Sequence, residues 1–106
     1  MKVNAENVVV ENNEAAKQFE SQVDGHVAFL QYHYSKGSIV FTHTEVPSAL
    51  EGRGLGGKLA RTALDYAKIH QLTVIPLCPF VASYIRKHPE YQSLVHADYR
   101  DRVLSD

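Results

Sequence analysis

A chain of 106 residues has the length of one compact domain, because a division would leave neither half a usable core. Hydrophobic residues make up 44% and charged residues 22%, an ordinary globular balance that excludes global disorder. Eleven basic against twelve acidic residues leave a net charge of −1, which supplies no overall field for nucleic acid or an anionic membrane.

The first 46 residues read as strands. Val8-Val9-Val10 and the segment around Ala16 to Phe19 flank Asn12-Asn13-Glu14, a turn-type cluster that predicts a hairpin. From His26 to Tyr34, Val27, Phe29, Gln31 and His33 alternate with Ala28, Leu30, Tyr32 and Tyr34, the period of a strand. Ser35-Lys36-Gly37-Ser38 supplies a turn, and Ile39 to Val46 a further strand rich in β-branched residues. Pro47 stops it, since its nitrogen cannot join a ladder. A meander of about four antiparallel strands is expected.

After residue 50 the period changes. Between Gly54 and His70, Leu55, Leu59, Thr62, Ala63 and Tyr66 recur at spacings of three and four, which predicts an amphipathic helix. Leu72 to Ile75 is a short apolar strand. Pro79 suits the first position of a second helix, with Cys78 as N-cap and an end near Lys87, before Pro89. Tyr91 to Asp106 is polar and carries no clear period. The order describes an α+β fold, a mostly antiparallel sheet with helices packed on it.

Cys78 is the one cysteine, so no internal disulfide forms, and no Cys/His cluster has zinc spacing. Met1 to Asn7 lacks the apolar run of a signal peptide, and no stretch approaches the ~20 apolar residues of a membrane span. The expectation is a cytoplasmic, reduced protein that holds no metal.

The informative segment is Glu51-Gly52-Arg53-Gly54-Leu55-Gly56-Gly57-Lys58. Glycine inside a helix costs roughly 0.5–1 kcal/mol, so glycines crowded at a strand-to-helix junction point to a need for bare backbone. Free N–H groups at a helix start, with the helix dipole, form an anion site suited to phosphate. Arg53 and Lys58 lie where positive charge opposes that dipole, a small penalty that a bound polyanion would reverse, although Glu51 already offsets part of it. The dinucleotide fingerprint fails because Leu59 stands where its third glycine belongs. The P-loop pattern is met by Gly52, Gly57 and Lys58 and then fails at Leu59, where magnesium requires a hydroxyl.

The strand order, the strand end Thr44-Glu45-Val46-Pro47, the glycine turn, and Cys78-Pro79-Phe80-Val81-Ala82-Ser83-Tyr84 together resemble the GNAT superfamily of N-acetyltransferases. The likeness is to its small, minimal-core members and covers residues from about 7 to 95, leaving 96–106 without assigned structure. In the family signature, Gln/Arg-x-x-Gly-x-Gly/Ala, Gly54 and Gly56 fit, whereas Glu51 departs from the first position.

The resemblance implies acetyl-CoA as co-substrate, contacted by Val46, Arg53, Gly54, Leu55, Gly56, Gly57 and Lys58. It implies central strands that splay apart, with the thioester in the gap between those ending at Val46 and Ile75. Glu45 is then a candidate base, with His43 two residues along as a relay. Cys78 is expected near the thioester, as a nucleophile or as pocket lining, and Tyr84 is a candidate acid toward the departing thiolate. Family members that bind pantetheine through an asparagine place it where Pro79 stands here. The acceptor is an amine, on a small molecule or a peptide. A CoA-binding module without turnover is the alternative, and a nucleotide phosphate hydrolase is disfavoured by Leu59.

Overall fold

The computed structural model describes residues 8–105. Five strands, β1 (Glu11–Asn13), β2 (Gln18–Val23), β3 (His26–Ser35), β4 (Ser38–Glu45) and β5 (Thr73–Pro76), form one sheet in chain order. The first four run antiparallel and β5 joins β4 in parallel. Helix α1 (Leu55–Ile69) supplies the crossover that a parallel pair requires. Helix α2 (Pro79–Lys87) and a short α3 (Arg100–Leu104) follow. The fold is α+β.

The opening hairpin is shifted from its expected place. Glu11–Asn13 forms the strand, Glu14 to Lys17 turns, and Val8 to Val10 lies outside any strand. Burial decides the register: Asn12 pairs with Phe19, and its side-chain oxygen accepts the Tyr32 hydroxyl at 2.6 Å. The tight turns Asp24–Gly25 and Lys36–Gly37 hold both residues at positive φ, which matches the twist of the flanking strands. Asp24–Gly25 ends β2, a boundary that its Asp-Gly dipeptide announces.

Alternation sorts the sheet into two faces. Phe19, Ala28, Leu30, Tyr32, Ile39 and Phe41 turn inward, under α1, which buries Leu55, Leu59, Ala63, Leu64 and Ala67 against them. Each large side chain so buried contributes roughly 1.5–3 kcal/mol. The other face over β1 to β3 carries Glu20, Gln22, Phe29, Gln31 and His33, none of them buried. A bulge between Gln31 and Tyr32 of β3 changes the register on β4, so Phe41 faces Tyr32 while Thr44 faces Leu30. Phe41 and Thr44 therefore share the inner face although they are three positions apart, an odd step that regular alternation would send to opposite faces.

The tail is more ordered than its polarity suggests. Val95 bridges to Val74 along the outer edge of β5, and the His96 amide donates to the Val74 carbonyl at 2.9 Å. Helix α3 buries Val103, whose carbonyl accepts Arg86 Nη1 at 2.9 Å. No helix among the described residues is long and apolar enough to cross a membrane.

Candidate active site

The β4–β5 ladder ends at Phe41 and Pro76, while β4 runs on to Glu45. The chain after Pro76 bends away, the Cys78 amide donates to the Phe41 carbonyl at 3.0 Å, and Pro79 starts α2. The two strands part here, as a splayed sheet requires. Cys78 is the N-cap, as expected, but it caps nothing with its thiol. Its Sγ lies 3.1 Å from Thr44 Oγ1, inside the opening, and the residue is 3% exposed.

Glu45 stands on the opposite face. It pairs with Phe29, is exposed, and its Oε1 lies 3.3 Å from His43 Nε2. The two-residue step of the strand brings these side chains together, the proximity that spacing predicts. Glu45 and Cys78 are thus on different sides of β4. No hydrogen bond joins Tyr84 to either of them among the described residues. The Tyr84 ring stacks on His88 with centroids 3.8 Å apart and lies beside Gly57. Burial pushes its phenol above the ordinary value, aided by Glu90 and Asp65 and opposed by the Arg61 charge.

The glycine turn follows Pro47 and a short turn, Ser48–Leu50. Gly54 is the N-cap of α1 at φ +79, in the left-handed region where a β-carbon costs roughly 1–2 kcal/mol. No side chain caps this helix and no acid lies in its first turn. The first backbone bond is Lys58 N–H to the Gly54 carbonyl at 3.1 Å, so the amides of Leu55, Gly56 and Gly57 have no acceptor within the helix. Val46 is half-buried at the strand end that leads into this turn.

Gly56 has a second reason to be bare. A β-carbon there would lie 2.8 Å from Phe80 Cζ, so the Phe80 ring rests directly on the first turn of α1. Arg53 leans toward Asp24, with Nη1 at 3.7 Å from Oδ2. That nitrogen is buried and has no hydrogen-bond partner. The three amides left without acceptors at the head of α1 have the chemistry that suits an anion such as a phosphate.

The family described as GCN5-related N-acetyl-transferase matches residues 18–94. The chain belongs to the GCN5-related N-acetyltransferase family. Among curated relatives, Protein NATD1 of Gallus gallus is 35% identical over 92 residues, 84% of each chain. Protein NATD1 of Homo sapiens is 35% identical over 88 residues, 80% of this chain and 78% of the relative. That of Danio rerio is 30% identical over 98 residues, 90% and 84%.

Within this N-acetyltransferase frame, two site neighbours escaped the sequence. Thr44 sits in the quoted strand-end motif, but only the bulge turns it toward Cys78. Phe80 is 43% exposed yet packs on Gly56, a contact that the glycine itself announces once α2 is known to approach.

Proposed function

We propose that this chain is an acetyl-CoA-dependent N-acetyltransferase built as one minimal catalytic domain and working in the cytoplasm. The observation that carries the reading is the uncapped, glycine-rich start of α1 beside strands that part at Phe41 and Pro76. The amides of Leu55, Gly56 and Gly57, with Arg53 and Lys58, hold the pyrophosphate. Val46 and the gap between β4 and β5 take the arm that carries the thioester.

Glu45, directly or through water, accepts a proton from the acceptor ammonium, oriented by His43. The neutral nitrogen attacks the acetyl carbonyl, the N–C bond forms, and the C–S bond breaks with the electron pair leaving on sulfur. Tyr84 supplies a proton to the departing thiolate, and the second proton of the acylated nitrogen passes through water to the Tyr84 phenolate and restores it. Cys78 lines the gap and does not carry the acetyl group.

The acceptor is a cationic amine. Glu11, Glu20, Phe29 and Glu45 pair in register across β1 to β4, a file of three acids and one aromatic about 14 Å long on the outer face. Protonated amines are attracted along such a file toward Glu45.

Glu51 and Pro79, where the family signature and its asparagine would stand, favour a second reading as a CoA-binding module without turnover. Thermal unfolding with acetyl-CoA, CoA and ATP tests both. A ligand at 100 times its dissociation constant stabilises by about 2.7 kcal/mol, and no response to either CoA species would sink them together. CoA thiol release with a panel of amines separates catalysis from binding alone.

A further inference from the structure

Strand β4 carries three hydroxyls, on Ser38, Thr42 and Thr44. Two of them are matched to oxygen within the sheet: Ser38 Oγ lies against Thr73 Oγ1, and Thr42 Oγ1 donates to the Gln31 carbonyl at 3.3 Å. Thr44 meets only the Cys78 sulfur among the described residues. Sulfur is a weak acceptor, so an O–H spent on it forgoes much of the value of a strong donor. The reverse arrangement suits both groups. A hydroxyl accepts and donates at once, so the thiol proton rests on a Thr44 lone pair while the Thr44 O–H stays free.

That free donor stands at a defined place. The β4–β5 ladder stops at Phe41 and Pro76, and Thr44 lies beyond it, half-buried in the opening. The bulge leaves Thr42 without a partner on β3 and turns Thr44 inward, opposite Leu30. Threonine is branched at Cβ and stiff at χ1, so the Cys78 contact fixes the rotamer that aims Oγ1 into the gap. Glu45, the next residue, takes the other face.

We infer that the Thr44 hydroxyl donates to the developing oxyanion and that the Cys78 thiol positions it, an inference that rests on the proposed thioester site. With Glu45 accepting the proton on the outer face, the amine nitrogen arrives from that side. As the N–C bond forms, the carbonyl π pair moves onto oxygen. The three original substituents of the carbon bend away from nitrogen, toward the inner face. The oxygen thereby closes on Thr44 as its negative charge grows, so this hydrogen bond is strongest in the transition state. No proton leaves Thr44. The C=O bond reforms as the C–S bond breaks with its pair on sulfur, and the hydrogen bond relaxes.

Thr44→Val removes the hydroxyl at nearly constant shape, and Thr44→Ser keeps it. In CoA thiol release, Thr44→Val should lower kcat by about 10²–10³ with KM for acetyl-CoA within about threefold, and Thr44→Ser should recover to within about tenfold of wild type. Infrared difference spectra of bound acetyl-CoA, isotopically labelled at the carbonyl carbon, supply a readout that needs no turnover. The thioester stretch should lie lower in wild type and Thr44→Ser than in Thr44→Val, because a hydrogen bond weakens C=O. Wild-type kcat in Thr44→Val, a Thr44→Ser variant as slow as Thr44→Val, or one stretch common to all three proteins overturns the inference and leaves acetyl transfer standing. A wild type that binds acetyl-CoA but releases no thiol with any amine sinks the acetyltransferase reading and the inference together, a result that the wild type shows by itself.

Discussion

The Cys78 thiol and the Thr44 hydroxyl face each other at 3.1 Å across the opening where β4 and β5 separate. The bulge on the β3–β4 ladder brings Thr44 to the inner face, and the Cys78 amide bonded to Phe41 fixes the other side. A thiol so enclosed is shielded from solvent reagents. Iodoacetamide should label Cys78 in the native chain at least about tenfold more slowly than in the urea-unfolded chain, read by intact mass. Cys78→Ala should retain acetyl transfer within about tenfold, and no acetyl adduct should appear on the wild-type chain. An adduct that forms and decays at the turnover rate would establish the covalent route instead.

Glu45 is exposed and carries His43 beside it, an arrangement open to an arriving ammonium. Glu45→Gln keeps the shape and removes the base, so kcat should fall by about 10²–10⁴ while acetyl-CoA still raises the melting temperature. Wild-type turnover in this variant would remove Glu45 from the chemistry. His43→Gln should lower kcat less, because it acts on Glu45 and not on the substrate.

Two glycines of the turn should fail in different ways. Gly54→Ala places a β-carbon at φ +79 and should cost about 1–2 kcal/mol in urea unfolding, together with weaker CoA binding. Gly56→Ala gains helix propensity of about 0.5–1 kcal/mol but must push the Phe80 ring aside. In a Phe80→Ala background that gain should appear undiminished, which a double-mutant cycle measures.

At the far end of the sheet, the Tyr34 and Tyr66 hydroxyls share a hydrogen bond of 2.8 Å. That bond, followed by burial, pushes the Tyr66 phenol from 10.0 up to about 12. The folded chain therefore keeps this proton to higher pH than the unfolded chain. Its contribution to stability is complete below pH 10 and is lost as pH rises toward 12. The melting temperature should hold steady from neutrality to about pH 10 and fall beyond it. Tyr66→Phe should blunt that fall, and an identical alkaline profile in the variant would refute the assignment.

Period and punctuation made much of this protein readable from residues alone. Alternation from His26 to Tyr34 gave the inner and outer faces of β3, and the three-and-four spacing from Leu55 gave α1 within a residue at either end. Pro79 marked the start of α2. The first hairpin misled because Asn12 and Asn13, turn residues by composition, are held in β1 by Phe19, Tyr32 and Glu20, partners that lie beyond the turn. The tail misled because its order comes from Val74 and Arg86, both distant in the chain.

Local chemistry alone thus determined where the chain turns helical, where it needs bare backbone, and so the uncapped amides at the head of α1. Those properties depend on φ, on side-chain bulk and on periodicity, all carried by neighbours in sequence. Tertiary structure decided the rest: which side of β4 each candidate occupies, that Cys78 meets Thr44, and that Gly56 lies under Phe80. A single-residue bulge reverses the facing of everything beyond it, and only long-range packing fixes where that bulge falls.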